Sequence, residues 1–179
     1  EKMLKFVNTK GQTPEKFNPS QRVKNFSEIY KNYITPKAEE QSSRCSQCGV
    51  PYCQIHCPLS NNIPDWLKLA AEGRLEEAYE ISSATNNMPE VCGRICPQDR
   101  LCEGNCVIER AGHGTVTIGS IEKFITDTAF EEGWVKPVPD VVSDSTRAFI
   151  TNVITLDDGR MLRKLELTEV LPRRIGEMI

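Results

Sequence analysis

The sequence predicts a mainly α-helical protein that ends in a β-hairpin. Apolar residues recur at three- and four-residue spacing through most of the chain before Glu132, the mark of helices that bury one face. Hydrophobic residues make up only 39% of the 179 and aromatics 7%, which is lean for a core closed by apolar burial alone, while eight cysteines fall in two tight groups. Near the end the period changes, and two β-branched or apolar runs flank Asp158–Gly159, the dipeptide a tight hairpin turn prefers.

Residues 1–20 are polar, carry little periodic signal and read as an irregular arm. Val23, Phe26, Ile29, Tyr30, Tyr33 and Ile34 predict an amphipathic helix over Val23–Ser43, kinked or interrupted at Pro36. Pro64 suits a first helical turn, Asp65 complements the positive dipole end there, and Gly73 is a natural stop. A short helix over Leu75–Ser83 follows, burying Leu75, Ala78 and Tyr79, so a helical hairpin separates the two cysteine groups. After a turn at AGHG, another helix is expected over Ser120–Glu132, with Gly133 past its end. Residues 135–147 read as a linker, and a hairpin over 148–170 closes the pattern. The chain therefore divides into an arm (1–20), a helical cysteine-bearing domain (21–136), and a linker with hairpin tail (137–179).

The formal net charge of −3 gives no global basic field of the kind that attracts nucleic acid. No apolar run approaches the roughly 18 residues of a membrane span, and none resembles a secretory signal. A start at Glu1 rather than methionine points to a fragment or processed product. Without a signal the expected setting is cytoplasmic, which favours metal-binding over disulfide-bonded cysteines.

The first group, Cys45, Cys48, Cys53 and Cys57, reads C-x2-C-x4-C-x3-C-P, and the second comprises Cys92, Cys96, Cys102 and Cys106. In the bacterial run C-x2-C-x2-C-x3-C-P, three thiolates hold one 4Fe–4S cluster and the fourth holds another. The same logic puts Cys45, Cys48 and Cys53 on cluster one and sends Cys57 to cluster two, with the second group closing both. A zinc site usually joins two widely separated C-x2-C pairs, and the gaps of three, five and three residues in the second group do not match one. Zinc and disulfides stay as the alternatives. His56 reads as turn-facing or supporting rather than ligating, and His113 as a solvated loop residue. Trp66 and Trp134 read as packing, GRLEEAYE as a solvated helix face, and Gly49, Gly93 and Gly104 as points of close backbone approach.

Taken together, RCSQCGVPYCQIHCP, NNIPDWLKLAAEGRLEEAYE, NNMPEVCGRICPQDRLCEGNC and TVTIGSIEKFITDTAFEEGW resemble the amino-terminal domain of the small (beta) subunit of NADPH-dependent glutamate synthase. Similar domains open dihydropyrimidine dehydrogenase and related flavin-dependent NADPH oxidoreductases. The resemblance covers roughly residues 20–136 and implies an α-helical ferredoxin-like domain with two 4Fe–4S clusters. It implies Cys45, Cys48, Cys53 and Cys106 as ligands of cluster one. For cluster two it implies Cys57, Cys96, Cys102 and Glu122, the last standing where dihydropyrimidine dehydrogenase-like chains carry a glutamine. Cys92 is then a spare thiol. Counting alone would instead make Cys92 the eighth ligand and leave Glu122 as an exposed helix glutamate.

The resemblance further implies an electron-transfer module. Electrons would pass from NADPH-reduced FAD through the clusters to the FMN of the large (alpha) subunit, where glutamate forms from 2-oxoglutarate and glutamine. No glycine-rich dinucleotide fingerprint is present in these residues, so the FAD- and NADPH-binding steps are not expected of this stretch, and it should not be catalytic by itself. The alternatives are the same relay in another flavin-dependent NADPH oxidoreductase, or a structural metal-stapled domain that docks subunits.

Overall fold

Eight α-helices follow one another along residues 2–136 in a computed structural model, which describes these residues with their side chains and residues 150–155 and 161–165 by their backbone. They are α1 (Pro19–Arg22), α2 (Thr35–Ser42), α3 (Tyr52–Ile55), α4 (Ile63–Ala71), α5 (Leu75–Ser83), α6 (Pro89–Ile95), α7 (Val107–Arg110) and α8 (Ile118–Glu131). Proline stands in the first turn of α1, α2, α4 and α6, where its missing N–H costs nothing. Gly73 and Gly133 follow α4 and α8 at φ +79° and +73°, the left-handed turn that ends a helix without a Cβ penalty. The chain forms two compact units, Glu1–Val135 and Lys136–Ile179.

Helix α8 is the axis of the first unit and packs on α2, α4, α5 and α6. Ile121, Ile125 and Ala129, at four-residue spacing, are all fully buried on its inner face. Trp66 and Leu67 of α4 are also buried, and Trp66 Nε1 donates to Asn61 Oδ1 at 2.7 Å, so its one polar atom is satisfied. Asn61 in turn donates to the carbonyl of Ser82, tying the start of α4 to α5.

The helix expected over Val23–Ser43 is shorter. Only Thr35–Ser42 is helical, and Pro36 opens that helix instead of kinking a longer one. Val23, Phe26, Ile29 and Ile34 are exposed, and of the periodic set only Tyr33 is buried. Local bonds compete for this backbone. Asn25 Oδ1 accepts from Ser27 N at 3.0 Å, while Phe17 N donates to Ile29 O and Lys31 N to Glu15 O, folding the segment back as an extended loop. The irregular arm is also docked: Leu4 N donates to Cys45 O and Lys5 N to Ser43 O, and Phe6 packs on the core.

Arg44, fully buried, holds the arm and the AGHG turn to the start of the first cysteine group. Its Nε donates to Thr9 O at 2.9 Å, Nη2 to His113 O and Gly114 O at 2.9 Å each, and Nη1 to Thr115 O. Backbone carbonyls thus solvate the buried cation.

In the second unit, β1 (Ile150–Thr155) pairs antiparallel with β2 (Met161–Leu165), Val153 opposite Arg163, with an irregularity between Ile150 and Asn152. The turn between them, with Asp158 and Gly159, and all but the first two residues of the expected linker at 135–147 lie outside the described residues.

Candidate metal centre

The two cysteine motifs fold as short helices and tight turns, and α4 and α5 bring them together although 34 residues separate Cys57 from Cys92. One pocket is lined by Cys45, Cys48, Cys53 and Cys106, three thiols of the first motif and the last thiol of the second. Pro64, Leu67, Val116 and Ile118 supply apolar walls. Burial, and then the neighbouring thiols of Cys45, Cys106 and Cys48, push the Cys53 thiol up to about 12. Burial likewise raises Cys45, against the bonds it accepts from Gln47. Four thiolates in so dry a pocket would repel one another without compensation; a cationic iron core supplies that compensation.

The remaining donors form a second neighbourhood. Cys96 is raised by burial and then by Cys92, Glu122 and Cys57, while Cys102 is raised by burial and then by Glu103, Glu122 and Cys96 among others. Cys57, Cys92, Cys102 and Glu122 thus all lie within electrostatic reach of Cys96, and both candidates for the eighth ligand are in this neighbourhood.

Glu122 is not the exposed helix residue that counting alone expects. It is 8% exposed on the inner face of α8, and burial lifts its carboxyl to about 7. Its side chain accepts from Asn86 Nδ2 at 3.1 Å and makes no ion pair among the described residues. Asn86 also favours the Cys92 thiolate, against the burial that raises this thiol, so one buried amide lies near both candidates. Sequence reasoning passed over Asn86, and its only signal is its place just before α6.

Among the described residues, no three His, Cys, Asp or Glu side chains converge tightly enough to hold a single metal ion. His56 is exposed, with Nδ1 2.9 Å from Tyr52 O, and His113 is exposed with its ring edge against Phe6. Neither histidine is among the residues lining the thiol pocket.

The three glycines differ. Gly49 has open space where a Cβ would be. A Cβ on Gly93 would come within 2.7 Å of Lys123 N, so this glycine serves the contact of α6 with α8. A Cβ on Gly104 would lie 1.9 Å from the carbonyl oxygen of Asp99, in the loop that carries Cys102. Gly104→Ala is expected to open that loop at a cost of about 1–3 kcal/mol. Thermal unfolding and iron analysis should both register the change; unchanged stability with full iron would contradict it.

A helical domain that gathers eight cysteines from two motifs around one α8 axis is the architecture of an iron–sulfur protein. The chain belongs to the family described as dihydropyrimidine dehydrogenase domain II, 4Fe–4S cluster, which it matches over residues 22–134. It is 66% identical over 137 residues to the glutamate synthase (NADPH) small chain of Azospirillum brasilense, covering 76% of this chain and 28% of that one. The glutamate synthase (NADPH) small chain of Escherichia coli is 50% identical over 132 residues, 74% of this chain and 28% of that one. AegA of Escherichia coli, named as an oxidoreductase with no stated acceptor, is 44% identical over 138 residues, covering 76% and 21%. The chain thus spans little more than a quarter of the length of the glutamate synthase small chains it matches. No helix among the described residues is long and apolar enough to cross a membrane.

Proposed function

We propose that residues 21–136 hold two 4Fe–4S clusters and relay single electrons between flavins in an NADPH-dependent glutamate synthase. Cys45, Cys48, Cys53 and Cys106 hold cluster one. Cys57, Cys96, Cys102 and Glu122 hold cluster two, with Cys92 as a supporting thiol. The observation that carries this reading is the apolar pocket lined by thiols of both motifs. Glu122 is preferred over Cys92 because a buried carboxylate with no ion pair among the described residues calls for a cation beside it. The clusters supply one-electron chemistry, and the protein's own share is to bind them, exclude water and tune them.

In the whole protein, electrons enter from NADPH through FAD, on parts of the polypeptide beyond this stretch, and leave to FMN on a large (alpha) subunit. Glutamate forms there from 2-oxoglutarate and glutamine. The setting is the cytoplasm, and the stretch is not catalytic by itself. Residues 1–20 are an arm, and residues 137–179 are a linker and tail whose two strands, joined through Asp158–Gly159, make a β-hairpin.

The protein purified without oxygen is expected to be brown, to bleach with dithionite and to recover its absorbance on reoxidation. A colourless protein, or one whose visible absorbance dithionite leaves unchanged, would contradict an electron-carrying role.

A further inference from the structure

We propose that Gln47 sets the reduction potential of cluster one, a role that rests on the cluster reading above. Gln47 is a non-glycine residue in the left-handed region, at φ +51°. Such a conformation costs on the order of 1–2 kcal/mol and persists where the surroundings enforce it, often at ligand clamps. Here the twist aims two donors at one sulfur. The backbone N–H of Gln47 donates to Cys45 Sγ at 3.5 Å, and its side-chain Nε2 donates to the same atom at 3.4 Å. Nε2 also donates to Pro64 O at 2.7 Å, so the first turn of α4 pins the amide and leaves its other hydrogen facing the thiol.

The neighbouring residue works in the same direction. Ser46 Oγ lies 2.9 Å from Cys48 Sγ. A ligating thiolate can only accept, so in the loaded protein the serine hydroxyl donates. The second neighbourhood differs. Among the described residues no side-chain donor reaches Cys57, Cys96 or Cys102, whereas Cys45 and Cys48 each have one.

Hydrogen bonds to ligand sulfur draw electron density away from iron and favour the reduced, more negative cluster. Cys45 is only 7% exposed, and the low local dielectric strengthens each such bond. Gln47 and Ser46 therefore hold cluster one at a higher potential than it would otherwise have.

The test is a redox titration of the full chain, purified without oxygen and followed by electron paramagnetic resonance, with iron and sulfide counted in parallel. Glu122→Ala marks which signal belongs to cluster two. Gln47→Leu removes the side-chain donor at similar length. Gln47→Asn keeps a residue that tolerates the left-handed backbone but is too short to reach the sulfur. Both are expected to keep their iron and to shift only the cluster-one potential negative, by about tenfold in the reduction equilibrium, or ~59 mV for one electron. Ser46→Ala should move the same potential in the same direction, and loss of cluster one from both Gln47 variants would make Gln47 a structural support of the site and overturn its tuning role. Unmoved potentials with intact clusters, or a shift confined to cluster two, would overturn the role of Gln47 and leave the cluster reading standing. A wild-type protein without iron–sulfur clusters would overturn both.

Discussion

Replacing Cys106 with alanine is expected to halve the iron of the purified protein, from about eight atoms per chain to about four. Cys106 belongs by sequence to the second motif, yet it lines the pocket of Cys45, Cys48 and Cys53. Its loss would leave cluster one with three thiolate ligands beside the apolar walls of Pro64, Leu67, Val116 and Ile118. The effect should extend to stability. Cluster binding couples the 45–53 loop to a residue some fifty positions later, and removing such a bridge costs roughly several kcal/mol in small metal-dependent domains. Iron analysis and thermal unfolding of Cys106→Ala, compared with a metal-free preparation of the wild type, check both halves. Full iron at wild-type stability would mean that the two motifs do not share a cluster.

The second large effect separates Glu122 from Cys92. Glu122→Ala is expected to lose cluster two and again to leave about four irons, whereas Cys92→Ala should keep about eight. The asymmetry comes from what each side chain has around it. Glu122 is buried with a single amide donor, Asn86, and no ion pair among the described residues, so its charge is compensated only when a cation is bound. Cys92 is a neutral thiol when free, raised by its burial, and burying it needs no metal. The reverse outcome, with iron lost from Cys92→Ala and kept in Glu122→Ala, would exchange the two assignments.

Much of the helical architecture was legible because local and global signals agree. Pro64, Asp65 and Gly73 bracket α4 where the structure has it, and α5 spans Leu75–Ser83 as its period predicts. Helix α8 begins at Ile118, two residues earlier than the pattern suggested, because Val116 and Ile118 are themselves buried. The failure over Val23–Ile34 is equally physical. Three- and four-residue spacing records only the order of apolar residues, and nothing packs against Val23 or Phe26. Without a tertiary partner, the asparagine turn and the pairing of residues 15–17 with 29–31 prevail.

The site was legible in kind and less so in detail. Spacing alone grouped Cys45, Cys48 and Cys53, but no spacing rule says which thiol of a distant motif completes the set. From the residues alone Glu122 reads as a surface residue, because a lone helix gives no sign that a facing helix covers it; only the family resemblance points to it as a ligand. Arg44, Gln47 and Asn86 were invisible for a related reason. Their roles depend on backbone carbonyls, a left-handed turn and a buried amide bond, none of which leaves a pattern in the one-dimensional sequence.

The most direct test of the cluster reading is the count of iron and acid-labile sulfide in the protein purified without oxygen. About eight of each per chain is the predicted result, two 4Fe–4S cores on four ligands apiece. Stoichiometric zinc with no labile sulfide would contradict it, leaving a metal-stapled helical domain that carries no electrons.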